Sequence, residues 1–105
     1  MTYVEFWPRY LRAHANPLTR ALHFVGTTLA LLCLVGAAIL RDWRFLPAAP
    51  IIGYGFAWTA HVMIERNRPE TFGHPVWSLY SDLRMLGLFL CGRLAAHLAR
   101  ATRSS

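Results

Sequence analysis

The sequence predicts an all-α, membrane-embedded helical bundle forming a single domain over residues 1–105. The expected parts are two transmembrane helices, an N-terminal helix in the membrane interface, and a C-terminal helix that packs on the pair or spans. Three observations carry this expectation. Of 105 residues, 55% are hydrophobic, more than a soluble domain of this length hides easily when it buries only about two-thirds of its chain surface. Two apolar runs, residues 21–40 and 50–64, have the composition and approximate length of membrane helices. The 11 basic residues are all arginine and exceed the acidic ones by six, a balance that suits lipid headgroups and phosphates. No nucleic-acid-binding motif accompanies the charge, so nucleic acid is not an expected partner.

Thr2 and Glu5 fit a capping box. Tyr3, Phe6, Trp7, Tyr10, Leu11 and His14 then recur at helical spacing, with Arg9 and Arg12 off the stripe. This reads as a short amphipathic helix with its aromatic rings at headgroup depth. Pro8 is expected to start that helix or to kink it. Asn16-Pro17 is a helix start, with Asn as cap and Pro in the first helical position. The apolar run 21–40 amounts to roughly 30 Å of helix, the thickness of a hydrocarbon core. His23 lies near its beginning. Gly26 or Thr27 and Ala30 share its face, and small residues there permit close helix approach.

Residues 41–44 form a polar turn with an interfacial tryptophan, and Pro47 and Pro50 suit the start of a second span running to about Ile64. On that helix Tyr54, Trp58 or Ala57, His61 and Glu65 fall on one stripe at four-residue spacing. Residues 66–74 read as a loop. Pro75 starts another helix, amphipathic over 76–84 and apolar over 85–99, which is short for a span and carries Arg93 and His97. Residues 100–105 are expected to fray. Trp7, Trp43 and Trp77 read as interface anchors, and His97 as structural. Cys33 and Cys91 have no CxxC partner and read as small buried hydrophobes. The N-terminal segment lacks the pattern of a signal peptide.

Two antiparallel spans place the start of the first beside the end of the second. His23 and His61 then share one membrane face, with His14 just outside it. Arg9, Arg12, Arg20, Arg66, Arg68 and Arg84 flank that face and only Arg41 and Arg44 the other, so the histidine face is expected to be cytoplasmic, in the inner membrane. Three imidazoles and the Glu65 carboxylate at one depth suit non-haem Fe(II); Zn(II) accepts the same ligands. The paired histidine boxes of membrane di-iron desaturases are absent. Asp82 is a candidate for orienting a ligand histidine, and His74 for a supporting or helix-capping position.

His14-x-Asn16-Pro17, His23, His61-x-x-x-Glu65 and Arg68-Pro69, followed by Pro69-Glu-Thr-Phe72, His74-Pro75 and Trp77-Ser78-x-x-x-Asp82, resemble the family of the yeast 2-hydroxy fatty acid dioxygenase, in its short bacterial branch. The resemblance covers most of residues 5–85. It implies an integral membrane, Fe(II)-dependent dioxygenase that shortens a 2-hydroxy fatty acid by one carbon. His14, His23 and His61 would be iron ligands, Glu65 a fourth ligand or a base, and Asn16 a cap fixing His14 relative to His23. Arg20, Arg66 or Arg68 would pair with the substrate carboxylate, and the acyl chain would lie between the spans and the last helix. The chain is shorter than the eukaryotic members. Two alternatives stand beside this reading: a haem or metal electron-transfer protein, and a non-catalytic membrane protein binding lipid or a partner.

Overall fold

The computed structural model describes every residue except 70, 71, 104 and 105. The Glu-Thr pair of the Pro69–Phe72 motif and the last two residues of the tail therefore lie outside the described residues. The described chain is all-helical: α1 (Tyr3–Arg12), α2 (Pro17–Leu40), α3 (Phe45–Ala60), a π-helical turn (His61–Glu65) that continues α3, α4 (Pro75–Leu90) and α5 (Leu94–Arg103).

Helix α1 starts as its capping box requires. The Glu5 backbone N–H donates to Thr2 Oγ1 at 3.3 Å, and the Thr2 hydroxyl reaches Glu5 Oε1 at 3.2 Å. The helix runs on through Pro8, correcting the expectation that it would begin there. The aromatic stripe also does not face outward, as an interfacial helix would present it. Phe6, Trp7, Tyr10 and Leu11 are buried and form a core with Met85, Leu94 and Ala101. Helices α4 and α5 supply the apolar surface that lipid was expected to supply. Burying each of these larger side chains is worth about 1.5–3 kcal/mol. Trp7 carries the Arg84 guanidinium over its ring at 4.2 Å and donates from Nε1 to His97 Nδ1 at 3.2 Å. Trp77 packs against Tyr3 and Phe6. Both are structural residues here, whereas Trp43 is 74% exposed.

Asn16 caps α2 by accepting the Leu18 N–H at 2.8 Å, with Pro17 in the first helical position. Helix α2 turns back through Arg41, a left-handed residue (φ 52°), and through Asp42, whose carboxylate takes the Arg44 N–H and guanidinium. The α2–α3 hairpin closes most tightly at Gly26. A Cβ there would stand 2.7 Å from Phe56 Cβ and 3.3 Å from the Gly53 carbonyl oxygen.

Helix α2 is the one described helix long and apolar enough to cross a membrane, and only 17% of its most apolar window is buried inside the protein. Leu32, Val35, Ile39, Leu40 and Ile51 face outward, while His14, Thr19, His23, His61, Ser78 and Ser81 are buried. Helix α3 has 16 residues before its π turn.

The apolar stretch after Pro75 is two helices, not one. Gly92 adopts φ +75°, a conformation that costs glycine nothing. The Arg93 N–H then bonds to the Leu88 carbonyl at 2.8 Å and the Gly92 N–H to that of Phe89 at 3.1 Å, the Schellman pattern that ends a helix. Arg93 therefore sits in an exposed break. The expected fraying of the tail does not extend to residues 100–103, which are helical, because Ala101 is buried against α1 and its carbonyl accepts from Arg12 at 3.1 Å.

Candidate metal centre

Three separate elements bring one histidine each to a single point. His14 follows α1, its N–H bonded to the Leu11 carbonyl. His23 is in the second turn of α2, and His61 opens the π turn. All three are at most 3% exposed, and each offers a ring nitrogen within 4.8 Å of the others. His14 Nε2 stands 3.0 Å from His23 Nε2 and 3.0 Å from His61 Nε2. The rings are close to mutually perpendicular, with interplanar angles of 86°, 81° and 89°.

The other ring nitrogens settle the protonation. His14 Nδ1 donates to the Tyr10 carbonyl at 2.6 Å, His23 Nδ1 to the Thr19 carbonyl at 3.1 Å, and His61 Nδ1 to Asn67 Oδ1 at 2.6 Å. The Asn67 amide cannot be reversed, because its Nδ2 donates to the Ala13 carbonyl at 3.1 Å. An oxygen acceptor at each Nδ1 keeps the proton there. In the neutral rings, every Nε2 therefore presents a lone pair toward the same small volume. Three lone pairs converging in a buried pocket repel unless a cation or a donated proton lies among them. Ligand histidines commonly hold their other N–H on a carbonyl or carboxylate in this way. Two nitrogens about 2.1 Å from one divalent cation and at right angles to each other stand about 3.0 Å apart, the distance of His14 Nε2 from each of the other two. The donor set fits a metal ion.

Burial, reinforced by the neighbouring His23 and His61, holds His14 well below the ordinary histidine value of 6.5. The unfolded chain then takes up a proton at His14 that the folded chain refuses, so stability is lost as pH falls below about 6.5. Metal-free protein is expected to keep a constant melting temperature above about pH 7 and to lose it progressively on acidification. The His14→Ala variant should show a flatter profile; thermal unfolding in chelator across this range checks it.

Glu65 does not join the cluster. Its Oε1 accepts the Asn16 backbone N–H at 2.7 Å, tying the start of α2 to the end of the π turn. The stripe expected from α-helical spacing ends at His61, where the chain leaves α-helical geometry. Asn16 holds position as a cap and as this donor. Arg20 donates to the His14 and Ala15 carbonyls at 2.7 and 3.0 Å, bracing the loop that carries His14. Arg66 and Arg68 are exposed, and Arg68 lies over the Phe72 ring. His74 stacks on Trp77 and lies outside the group of ligand nitrogens.

Asp82 lines the triad pocket, but its hydrogen bond among the described residues is with the Tyr10 hydroxyl, which it accepts, and not with a ligand ring as expected. Burial pushes its carboxyl up to about 6, and burial with the Asp82 charge pushes the Tyr10 hydroxyl well above 10.0.

Two residues escaped the sequence reading. Asn67 was only a loop residue there; it reaches His61 because Arg66 takes a left-handed conformation (φ 56°) and folds the chain back. Tyr10 stood only in the aromatic stripe, although its four-residue offset from His14 was a usable signal. Removing the Asn67 carbonyl frees the His61 ring and its tautomer. Asn67→Ala is expected to weaken metal binding by about 10–100-fold, measured by competition with a chelator of known affinity.

A cavity of about 310 Å³ adjoins the triad, between the hairpin and α4. It is apolar along Leu31, Leu34 and Leu83, and His23 and Asp82 belong to both the cavity and the triad pocket.

Compared with known proteins, residues 1–94 match the family model described as 2-hydroxy-palmitic acid dioxygenase Mpo1-like. No curated protein and no solved structure matches the chain.

Proposed function

Since the chain belongs to the 2-hydroxy-palmitic acid dioxygenase Mpo1-like family, we propose that it is an integral membrane, Fe(II)-dependent dioxygenase that shortens a 2-hydroxy fatty acid by one carbon. The observation that carries this is the convergence of three perpendicular, buried imidazoles beside an apolar cavity.

His14, His23 and His61 would hold the metal. Three neutral imidazole donors would leave positions on a bound metal for exogenous ligands, as non-haem iron chemistry requires. Bound Fe(II) supplies the redox chemistry that oxygen requires and an attachment point for a hydroxy acid. The protein's residues do the rest. Tyr10, Thr19 and Asn67 hold the three Nδ1 protons, so the Nε2 lone pairs stay available. Arg20 fixes the His14 loop from behind. The groove takes the acyl chain and keeps water from it. Glu65 serves as a structural cap in this reading, and not as the ligand or base the family motif suggested. Exposed Arg66 or Arg68 would meet the acid end as it leaves the headgroup zone. Ring nitrogens 3.0 Å apart leave no room for a porphyrin between them, which disfavours the haem alternative.

The membrane reading rests on inverted burial. Leu32, Val35, Ile39 and Leu40 of α2 face outward while Thr19 and His23 are covered, the reverse of a soluble helix hidden in a core. With its π turn, the helix from Phe45 continues to Glu65, about 30 Å at ordinary helical rise, and forms the second span. The arginine distribution is the support for reading the triad as lying at the cytoplasmic face of the inner membrane.

Detergent-purified protein loaded with Fe(II) anaerobically and then exposed to air with 2-hydroxyhexadecanoic acid is expected to consume oxygen and release the acid one carbon shorter. Iron-loaded protein that leaves the acid unchanged would contradict the proposal.

A further inference from the structure

Among the described residues, Asp82 is a half-buried acidic group in the wall of the triad pocket for which the metal centre has no use. With His23 and Ala57 it forms the wall common to the triad pocket and the apolar cavity. Its Oδ1 accepts the Tyr10 hydroxyl. Among the described residues nothing donates to Oδ2, and Asp82 lines the apolar cavity. A carboxyl oxygen at the polar end of an apolar groove is an acceptor waiting for a donor, and leaving it unmatched when a ligand covers it is costly.

The two ends of the candidate substrate differ in what they bring to that oxygen. The hydroxyl on C2 brings a donor. The acid end of an ionised substrate brings negative charge, which Asp82 repels when ionised, and a chain without the hydroxyl brings neither. Tyr10 sets the register: its hydroxyl holds Asp82 while its carbonyl holds His14 Nδ1, so the acceptor is fixed relative to the triad.

From this geometry we infer that Asp82 is the residue that selects 2-hydroxylated chains, by accepting the hydrogen bond of the C2 hydroxyl at Oδ2, with Tyr10 as its positioning residue. The inference rests on the lipid-acid reading of the groove proposed above. A site built to bond a hydroxyl rejects the analogue lacking it far more strongly than an apolar pocket senses a methylene. Asp82→Asn puts an N–H donor in place of the acceptor, which serves the carboxylate of either acid and removes the discrimination.

The test is calorimetric titration of metal-free protein in detergent, with matched micelle blanks, using 2-hydroxyhexadecanoic and hexadecanoic acids. Without metal, chelation by the cation cannot mimic the preference. Wild type is expected to bind the hydroxy acid about tenfold or more tightly, and Asp82→Asn and Asp82→Ala to bring the two affinities together. Tyr10→Phe should lower the preference in part, and Asp82→Asn should still load metal like wild type. Equal binding of both acids by wild type would overturn the inference and leave the dioxygenase reading standing. So would an undiminished preference in Asp82→Asn, or loss of metal loading in that variant, which would assign the carboxyl to the metal. Binding of neither acid by wild type would overturn the inference together with the lipid-acid reading of the groove.

Discussion

His14→Ala is expected to weaken metal binding more than a hundredfold and, with it, to remove the response of the protein to chelators at working metal concentrations. His14 is the central member of the triad, 3.0 Å from each of the other two nitrogens, so its removal leaves two donors with nothing between them. A four-ligand zinc site is worth roughly 10–16 kcal/mol. One ligand is then worth about 3 kcal/mol, more than a hundredfold in affinity. The metal-free protein faces a different balance. Alanine opens a hole, which destabilises, but it also removes one of three mutually repelling lone pairs. The helical fold is therefore expected to survive. Wild type should melt at a lower temperature in chelator than with Fe(II), by the linkage between binding and folding. His14→Ala should melt at one temperature in both. A variant that is still stabilised by Fe(II) would remove His14 from the centre.

Gly26→Val is expected to damage both the hairpin and the site. The first side-chain atom would already stand 2.7 Å from Phe56 Cβ and 3.3 Å from the Gly53 carbonyl oxygen. Neither neighbour can swing aside, because one is a Cβ and the other is backbone. The helices must separate, and overpacking of this kind costs about 1–3 kcal/mol. His23 lies one turn before Gly26, and His61 little more than one turn beyond Phe56. Separation of the helices there pulls the two imidazoles apart as well. Gly26→Val should therefore lower thermal stability and weaken metal binding together. Gly36→Ala is the control: no atom lies within 4 Å of its added Cβ, and replacing a mid-helix glycine is neutral or stabilising by up to about 1 kcal/mol. Equal behaviour of the two variants would show that the close approach at Gly26 does not position the site.

What the sequence revealed depended on whether a feature was local. The Thr2 cap, the Asn16-Pro17 start and the Pro75 start follow from neighbouring residues, and the structure has all three. His23 and His61 could be paired because an antiparallel hairpin leaves little choice of register. The aromatic stripe of α1 was read correctly as a stripe and wrongly as a lipid-facing one, since periodicity says which residues share a face and not what covers it. The break at Gly92 was hidden by uniform apolar content on both sides. Glu65 looked like a ligand because α-helical spacing was carried through a segment that is π-helical. Asn67 was invisible because a left-handed arginine, which no pattern announces, turns it toward His61. Asp82 was expected to orient a ligand histidine, whereas it accepts the Tyr10 hydroxyl, a bond that joins α1 to α4 and depends on packing that local sequence does not encode.

The central claim is that the triad is an iron site, and the most direct measurement is metal content. Wild-type protein purified in mild detergent, without air or chelators, would be assayed for iron and zinc by elemental mass spectrometry, beside the His23→Ala and His61→Ala variants. Near-stoichiometric iron is expected in wild type, and its loss in each variant. Wild-type protein that holds no metal and takes up none when incubated anaerobically with Fe(II) would contradict it.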